Sequence, residues 1–330
     1  LGAYLFQRLR ESGVDCTFGI PGDFALPLYH AQEKAGLRTV VCTHEPGAAF
    51  AADAYARLRG LGVVVLTYGA GALNAVNAAA MSYAEHTPLL VISGAPEAAR
   101  RGPDLHLHHM VKSFESQARI YREITGSSAV LDEPARAAAE IDRVIGEVLA
   151  SKRPGYLEVP RDLVEAVVYP TAASARSTSS ALPCDEAALA EAVAEITGLL
   201  DHAERPVLYA GVGVRRYGLS GDAVRLAERW GMPVVSSVMG KAAFPESHPH
   251  FVGVYMGAVG DPAARAAAEG SDCVLALGVI RSDVNTGFMT SRLDPACQIA
   301  VAERSTFVRY HHYDGVPISR VLASLQREGD

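Results

Sequence analysis

No stretch of the sequence reaches the ~18 consecutive apolar residues that a bilayer-crossing helix needs, so no membrane-spanning role is expected. Basic clusters are lacking too. The 30 Lys and Arg are scattered among 37 Asp and Glu, and the net charge of −7 argues against nucleic acid or an anionic membrane as a partner. The five cysteines (Cys16, Cys42, Cys184, Cys273 and Cys297) stand far apart and form no CxxC pair. They suit a reducing cytosol, where isolated thiols act as small buried hydrophobes, better than a disulfide scaffold or a zinc ribbon. The opening LGAYLFQRLRESG has neither the basic start nor the cleavage site of a signal peptide. It reads instead as an amphipathic helix with Leu5, Leu9 and Val14 on or near one face. Leu1 is not a natural start, so residues are expected to precede it.

Hydrophobic residues make up 49% and charged residues 20% of the chain, proportions that place it among globular proteins. At 330 residues it should divide into two domains, since single cores seldom grow beyond ~250 residues. Apolar, β-rich runs alternate with alanine-rich helical stretches. Thr39–Cys42, Gly62–Thr67, Leu89–Ser93 and Gly155–Val159 read as buried strands, and Val207–Ala210, Pro233–Ser237, Cys273–Leu277 and Gln298–Val301 repeat the pattern. Helical patterns cover Ala48–Arg59, Ala72–Tyr83, Glu133–Ala150 and Asp185–Leu200. Strands buried on both faces and separated by helices predict an α/β protein of two doubly wound domains with mainly parallel central sheets. Residues 171–184, small, polar and aperiodic, are expected to link a domain over 1–170 to a second, Rossmann-like domain over 185–330.

Chemistry is concentrated in three turns of the first domain. In CTHEPGAAFAADAYARLRG, Cys42–Gly60, Glu45 stands between a strand and a helix whose first turn tolerates Pro46, at the edge where open α/β sheets place ligands. A carboxylate there is also simply favoured by the positive end of the helix. In TYGAGALNAVNAAAMSYAEH, Thr67, Gly69 and Gly71 form a strand-to-helix turn where backbone must approach something closely or take a positive φ, and Asn74 and Asn77 follow. In GIPGDF, Pro21 and Gly22 make a third turn. Separately each of these is an ordinary βα turn.

Taken in order and spacing, GIPGDF, THEPGAAFAADAYAR and TYGAGALNAVNAAAMSYAEH resemble the thiamine-diphosphate-dependent 2-oxo acid decarboxylases, in particular the pyruvate and indolepyruvate branch. GVGVRRYGL, GMPVVSSVMGKAAFPESHPHFVGVYMGAVG, SDCVLALGV and RYHHYDGVP are similar to that family's central domain, so the resemblance extends over essentially the whole chain. It implies that residues 1–170 form a pyrimidine-binding domain. Glu45 would be the carboxylate that shares a proton with the cofactor's aminopyrimidine ring, a task that calls for a dry site because burial favours the neutral acid. Pro21, Gly22, Thr67, Gly69, Gly71, Asn74 and Asn77 would join Glu45 in binding the cofactor. His108 and His109, in DLHLHHMVKSF, match the branch's paired histidine, used for proton transfer and for holding the substrate carboxylate or product; imidazole suits this because it titrates near ~6.5. No metal site is expected within the chain, since no cysteine or carboxylate nearby completes a ligand set with His106, His108 and His109. His311 and His312 are taken as structural.

The family's third domain carries a Gly-Asp-Gly triplet and a later asparagine that hold Mg2+ and the cofactor's diphosphate. GD occurs here at Gly22-Asp23, Gly221-Asp222, Gly260-Asp261 and Gly329-Asp330, but never as GDG. The resemblance therefore implies thiamine diphosphate and Mg2+ anchored mainly by a domain not in this chain. That domain is expected on a separate subunit; a longer parent chain and a non-catalytic regulatory relative are the alternatives. Self-association through the pyrimidine-binding domain and a small 2-oxo acid substrate follow from the same resemblance. The segment after the histidines, MVKSFESQARIYREIT, and the ALPLYH that follows GDF depart from the pyruvate-specific pattern, leaving the substrate open and acyloin- or acetolactate-type carboligation as an alternative outcome. YAGVGVRRYG, Tyr209–Gly218, comes near a dinucleotide fingerprint but has Arg216 where the third glycine belongs, so FAD or NAD has little support.

Overall fold

The computed structural model describes residues 1–102, 105–170 and 182–327. The chain divides into two units, Leu1–Ala181 and Leu182–Asp330. The expected linker lies mostly at positions 171–181, outside the described residues.

The first unit alternates helices and strands: α1 (Gly2–Glu11), β1 (Cys16–Gly19), α2 (Leu26–Lys34), β2 (Arg38–Val41), α3 (Glu45–Arg59), β3 (Gly62–Leu66), α4 (Ala70–Asn74), α5 (Val76–Ala84), β4 (Leu89–Ala95), α6 (Ser116–Ile124), β5 (Ser127–Val130), α7 (Pro134–Ser151) and β6 (Gly155–Pro160). The strands form one sheet in the order β2-β1-β3-β4-β6-β5, parallel throughout. Strand order reverses direction between β1 and β3, and it is at such a switch point that an open sheet leaves a crevice outside its C-terminal edge. One face of the sheet packs Val63, Val65, Leu90 and Ile92 against Leu5 and Leu9 of α1 and Ile141 and Val144 of α7. The other face packs Val64, Leu66, Leu89 and Val91 against small residues of α3 to α5. Ala48, Ala49, Ala52 and Ala56 line the inner side of α3 and let the helix approach so closely that a Cβ on Gly62 would meet the Ala52 carbonyl oxygen.

The second unit contains α8 (Glu186–His202), β7 (Pro206–Ala210), α9 (Val212–Arg216), α10 (Ser220–Arg229), β8 (Val234–Ser236), β9 (Phe251–Val254), α11 (Pro262–Glu269), β10 (Cys273–Leu277), β11 (Gln298–Val301), β12 (Ser305–Val308), β13 (His311–Asp314) and α12 (Ile318–Arg327). Its sheet runs β13-β12-β11-β10-β7-β8-β9. The five strands from β9 to β11 are parallel, whereas β12 and β13 form an antiparallel hairpin at one edge. Asp185 caps α8, its carboxylate accepting from the N–H groups of Ala187 and Ala188.

Three expectations from the sequence need correction. The strand expected as buried over Thr39–Cys42 is β2, an edge strand exposed along its whole length, because an apolar run does not reveal whether a neighbour covers it. The single helix expected over Ala72–Tyr83 is broken at Ala75 into α4 and α5, which puts Asn74 and Asn77 on different helices. The β12–β13 hairpin was not anticipated, since its polar STFVRYHHYD lacks the continuous apolar run by which the other strands are read. Among the described residues no helix is long and apolar enough to cross a membrane.

Candidate active site

Glu45, Thr67, Gly69, Asp23 and the two histidines all follow C-terminal ends of strands in the first sheet, around the β1/β3 switch. Glu45 is the first residue of α3, with His44 extended as N-cap and Pro46 in the first turn, so the chain's abrupt entry into helix fixes its backbone. Asn74, closing α4, directs one Nδ2 to both neighbours: 3.0 Å to Glu45 Oε2 and 2.9 Å to His44 Nε2. The carboxylate is thus oriented by a neutral donor. A Cβ added to Gly71 would stand 2.9 Å from Thr67 Cγ2 and 3.8 Å from Glu45 Oε1, so glycine lets the turn pack closely on Thr67 beside the carboxylate. A carboxylate oriented by a neutral amide suits the aminopyrimidine expected there, whose ring nitrogen would share a proton with an acid.

A second cluster stands on the same sheet edge. His108 Nε2 lies 2.6 Å from Asp23 Oδ2, and the His108 ring stacks on Phe24 at 4.8 Å and 21°. The His109 ring meets His108 edge-on at 4.9 Å. Burial works to raise the Asp23 carboxyl, but the His108 ring and the Phe24 N–H together hold it below its ordinary value, so Asp23 is ionised at neutral pH. Thr67 Oγ1 donates weakly to Asp23 Oδ1 at 3.4 Å, and a Cβ on Gly22 would stand 2.6 Å from Thr67 Cβ. Gly69 has a φ of +69°, and a Cβ there would lie 2.1 Å from the His109 carbonyl oxygen. His109 itself has a φ of 65°. The histidine segment therefore docks directly onto the glycine turn.

Beneath both clusters lies a buried polar brace. The Gly69 N–H donates to Gln117 Oε1 at 2.7 Å, and Gln117 Nε2 donates to Ser93 Oγ at 2.9 Å and to the Tyr156 hydroxyl at 2.7 Å. The Tyr156 hydroxyl donates to Glu158, which Arg101 also pairs at 3.3 Å. Burial pushes the Glu158 carboxyl up, against the lowering effects of Tyr156 and Arg101. Tyr68 donates to the Phe114 carbonyl oxygen at 3.2 Å. Arg101 and Gln117 flank the histidines in sequence, so the brace holds that segment from both sides.

The structure thus gathers Glu45, Asn74, Thr67 and Gly71 in one group, and Asp23, His108, His109, Gly22 and Gly69 in the other. Pro21 is exposed in the turn before Asp23. Asn77 is exposed on α5, with no hydrogen bond to Glu45 or Asn74 among the described residues, and His106 is exposed in the loop. Two residues were missed from sequence. Asp23 stood within the GIPGDF turn, but its partner His108 lies 85 residues on. Gln117 gave no sequence signal. The expectation that no carboxylate completes a set with the histidines is corrected as well, because the fold brings Asp23 to them.

In the second unit, Cβ atoms on Gly211 and Gly213 would stand 2.2 Å from the Gly278 oxygen and 2.7 Å from its Cα. The glycines of GVGVRRYG are spent on packing two turns together. His311 Nδ1 lies 3.0 Å from Glu195, which also accepts from Tyr313, so β13 is tied to α8; His312 stacks on Phe307 at 4.2 Å.

Two family models match the chain: the N-terminal TPP binding domain of the thiamine pyrophosphate enzymes over residues 1–120 and their central domain over residues 193–319. The indole-3-pyruvate decarboxylase of Azospirillum brasilense is 40% identical over 98% of the chain. The chain belongs to the family of thiamine-diphosphate-dependent 2-oxo acid decarboxylases. Pyruvate decarboxylase of Kluyveromyces lactis is 34% identical, and isozyme 1 of Saccharomyces cerevisiae 35%, each again over 98% of the chain. The chain spans 59% of the Azospirillum relative and 58% of the two yeast ones. Within this decarboxylase family, both side-chain clusters fall inside the match to the N-terminal TPP binding domain.

Proposed function

We propose that this chain supplies the activating carboxylate and the proton-transfer groups of a thiamine-diphosphate-dependent enzyme that decarboxylates a small 2-oxo acid. The observation that carries this is the Glu45–Asn74 pair, held on the same sheet edge as Asp23, His108 and His109. Glu45 presents a carboxyl oxygen to the cofactor's ring and exchanges a proton with it, while Asn74 fixes its orientation. Glu45 is half-buried here, so the dry surroundings this exchange needs must come from what covers the crevice. Thiamine diphosphate, when bound, supplies the nucleophilic carbon and the electron sink for loss of CO2. Asp23 accepts a hydrogen bond from His108 Nε2 and so fixes its tautomer and ring plane. His108 and His109, edge to face, then hold the substrate carboxylate and deliver a proton to the product.

Most of the anchorage for the cofactor's diphosphate and Mg2+ lies outside these 330 residues, on a separate diphosphate-binding subunit. Self-association through the first unit and a cytosolic location belong to the same proposal. Native mass spectrometry tests it, on untagged protein purified from its own cells with thiamine diphosphate and Mg2+ present. A complex holding a second chain and cofactor mass supports the split assembly, whereas a longer single chain removes it. In the cofactor-loaded protein, Glu45→Gln should slow CO2 release from 2-oxo acids by about 10²–10⁴-fold, the usual worth of a positioned acid-base group. Unchanged turnover would overturn the catalytic role.

A further inference from the structure

The loop after β1 and the loop after β4 bring one carboxylate and two imidazoles together. One ligand atom each from Asp23, His108 and His109 lies within 4.8 Å of the other two, and all three residues are exposed. We propose that these three side chains form a binding site for a divalent transition-metal ion of the Zn2+ or Co2+ class, which silences the proton-transfer groups when it binds.

The argument starts from donor chemistry. Two imidazole nitrogens and one carboxylate oxygen on one side of an ion, with the remaining positions open, favour Zn2+, Co2+ or Ni2+ over Mg2+, which prefers oxygen alone. Bonds of about 2.1 Å at tetrahedral angles require ligand atoms about 3.4 Å apart. His108 Nε2 and Asp23 Oδ2 already approach to 2.6 Å, so the ion would take the place of the shared proton and push them slightly apart. His109 would move inward, which its exposed ring permits.

The pieces are also held for the purpose. Phe24 supports the His108 ring from one face at 4.8 Å, and Arg161 lies 5.5 Å from the Phe24 ring centre. The His109 backbone is pinned on Gly69. Asp23 brings the carboxylate oxygen of the set, already 2.6 Å from His108 Nε2. Once bound, the ion occupies lone pairs of both imidazoles, and neither can accept or deliver a proton there. Open positions would take water or the carboxylate of a 2-oxo acid.

The binding stands on geometry alone; the silencing rests on the proposed function. The test titrates Co2+, and separately Zn2+, into the full natural protein saturated with thiamine diphosphate and Mg2+. Calorimetry reports stoichiometry, and paramagnetically shifted histidine signals report the ligands of Co2+. One ion per chain is expected, not displaced by excess Mg2+. Asp23→Asn, His108→Gln and His109→Gln should each weaken binding at least tenfold, while His106→Gln leaves it unchanged. Absence of saturable binding, an ion displaced by Mg2+, or affinity indifferent to all three substitutions would overturn the site. Metal bound as expected with undiminished CO2 release would count against the proposed function of the histidines and leave the site standing.

Discussion

The carbonyl oxygen of His109 occupies the space into which a Cβ on Gly69 would project, 2.1 Å from the position that atom would take. Two segments far apart in sequence are thereby seated on each other: the turn after β3 and the loop carrying the paired histidines. The contact between them could not be read from the residues of either. The turn takes a positive φ at Gly69 and the loop takes one at His109, so each is bent to meet the other.

Gly69→Ala should therefore be costly twice over. A left-handed non-glycine residue costs ~1–2 kcal/mol and overpacking typically ~1–3 kcal/mol, so a total of about 2–5 kcal/mol is expected unless the histidine loop retreats. Urea denaturation measures the loss. A variant of undiminished stability whose histidine resonances have shifted would show that the loop, rather than the turn, gives way.

Much of this was legible because its causes are local. Glu45 was placed at a helix start by Pro46 and by the alanine stripe behind it, and Gly69 and Gly71 were placed in a turn by their spacing. What could not be read depends on residues distant in the chain. Asp23 becomes informative only when His108 arrives, and Gln117 only when Gly69, Ser93 and Tyr156 converge on it. The same limit explains β2, whose valines look like those of a buried strand until the sheet order leaves it at an edge.

Asn74 should matter to turnover without touching substrate. Its amide donates to Glu45 at 3.0 Å, and Asn74→Ala removes the donor while leaving the acid in place. In the cofactor-loaded protein the rate of CO2 release should fall, but by less than in Glu45→Gln, since orientation is lost and the acid is kept. Steady-state kinetics on both variants decides the order. A larger loss for Asn74→Ala would make the amide itself the group that meets the cofactor.

Glu158 makes stability depend on pH in a stated direction. Burial raises its carboxyl in the folded state, while an unfolded glutamate titrates near ~4.3. The folded protein holds that proton more tightly, so the stabilisation is complete below ~4.3 and is lost as pH rises through the folded value. Glu158→Gln carries no such proton. The stability of the native protein relative to this variant should decline as pH climbs from about 4 towards neutrality, measured by denaturation midpoints across the range. A difference independent of pH would mean that Arg101 and Tyr156 fully compensate the burial.

Gln117 separates the hydrogen-bonding role of the brace from simple space filling. In Gln117→Leu the Gly69 N–H loses its acceptor inside the protein, and an unsatisfied buried donor costs about 1–3 kcal/mol. The Ser93 and Tyr156 hydroxyls lose only an incoming bond, because each still donates, to the Gly94 oxygen and to Glu158 respectively. Gln117→Glu keeps the acceptor for Gly69 but places a second carboxyl in the network that already buries Glu158, so it should cost more than leucine at neutral pH. Equilibrium unfolding ranks the two, and hydrogen exchange at the Gly69 amide reports the bond itself. Fast exchange in the leucine variant with slow exchange in the glutamate variant, despite the latter's lower stability, would fix the acceptor as Gln117 Oε1. Equal protection in both would mean that the turn is held by the His109 backbone packed against it, and that the brace supports the histidine loop from its Arg101 end alone.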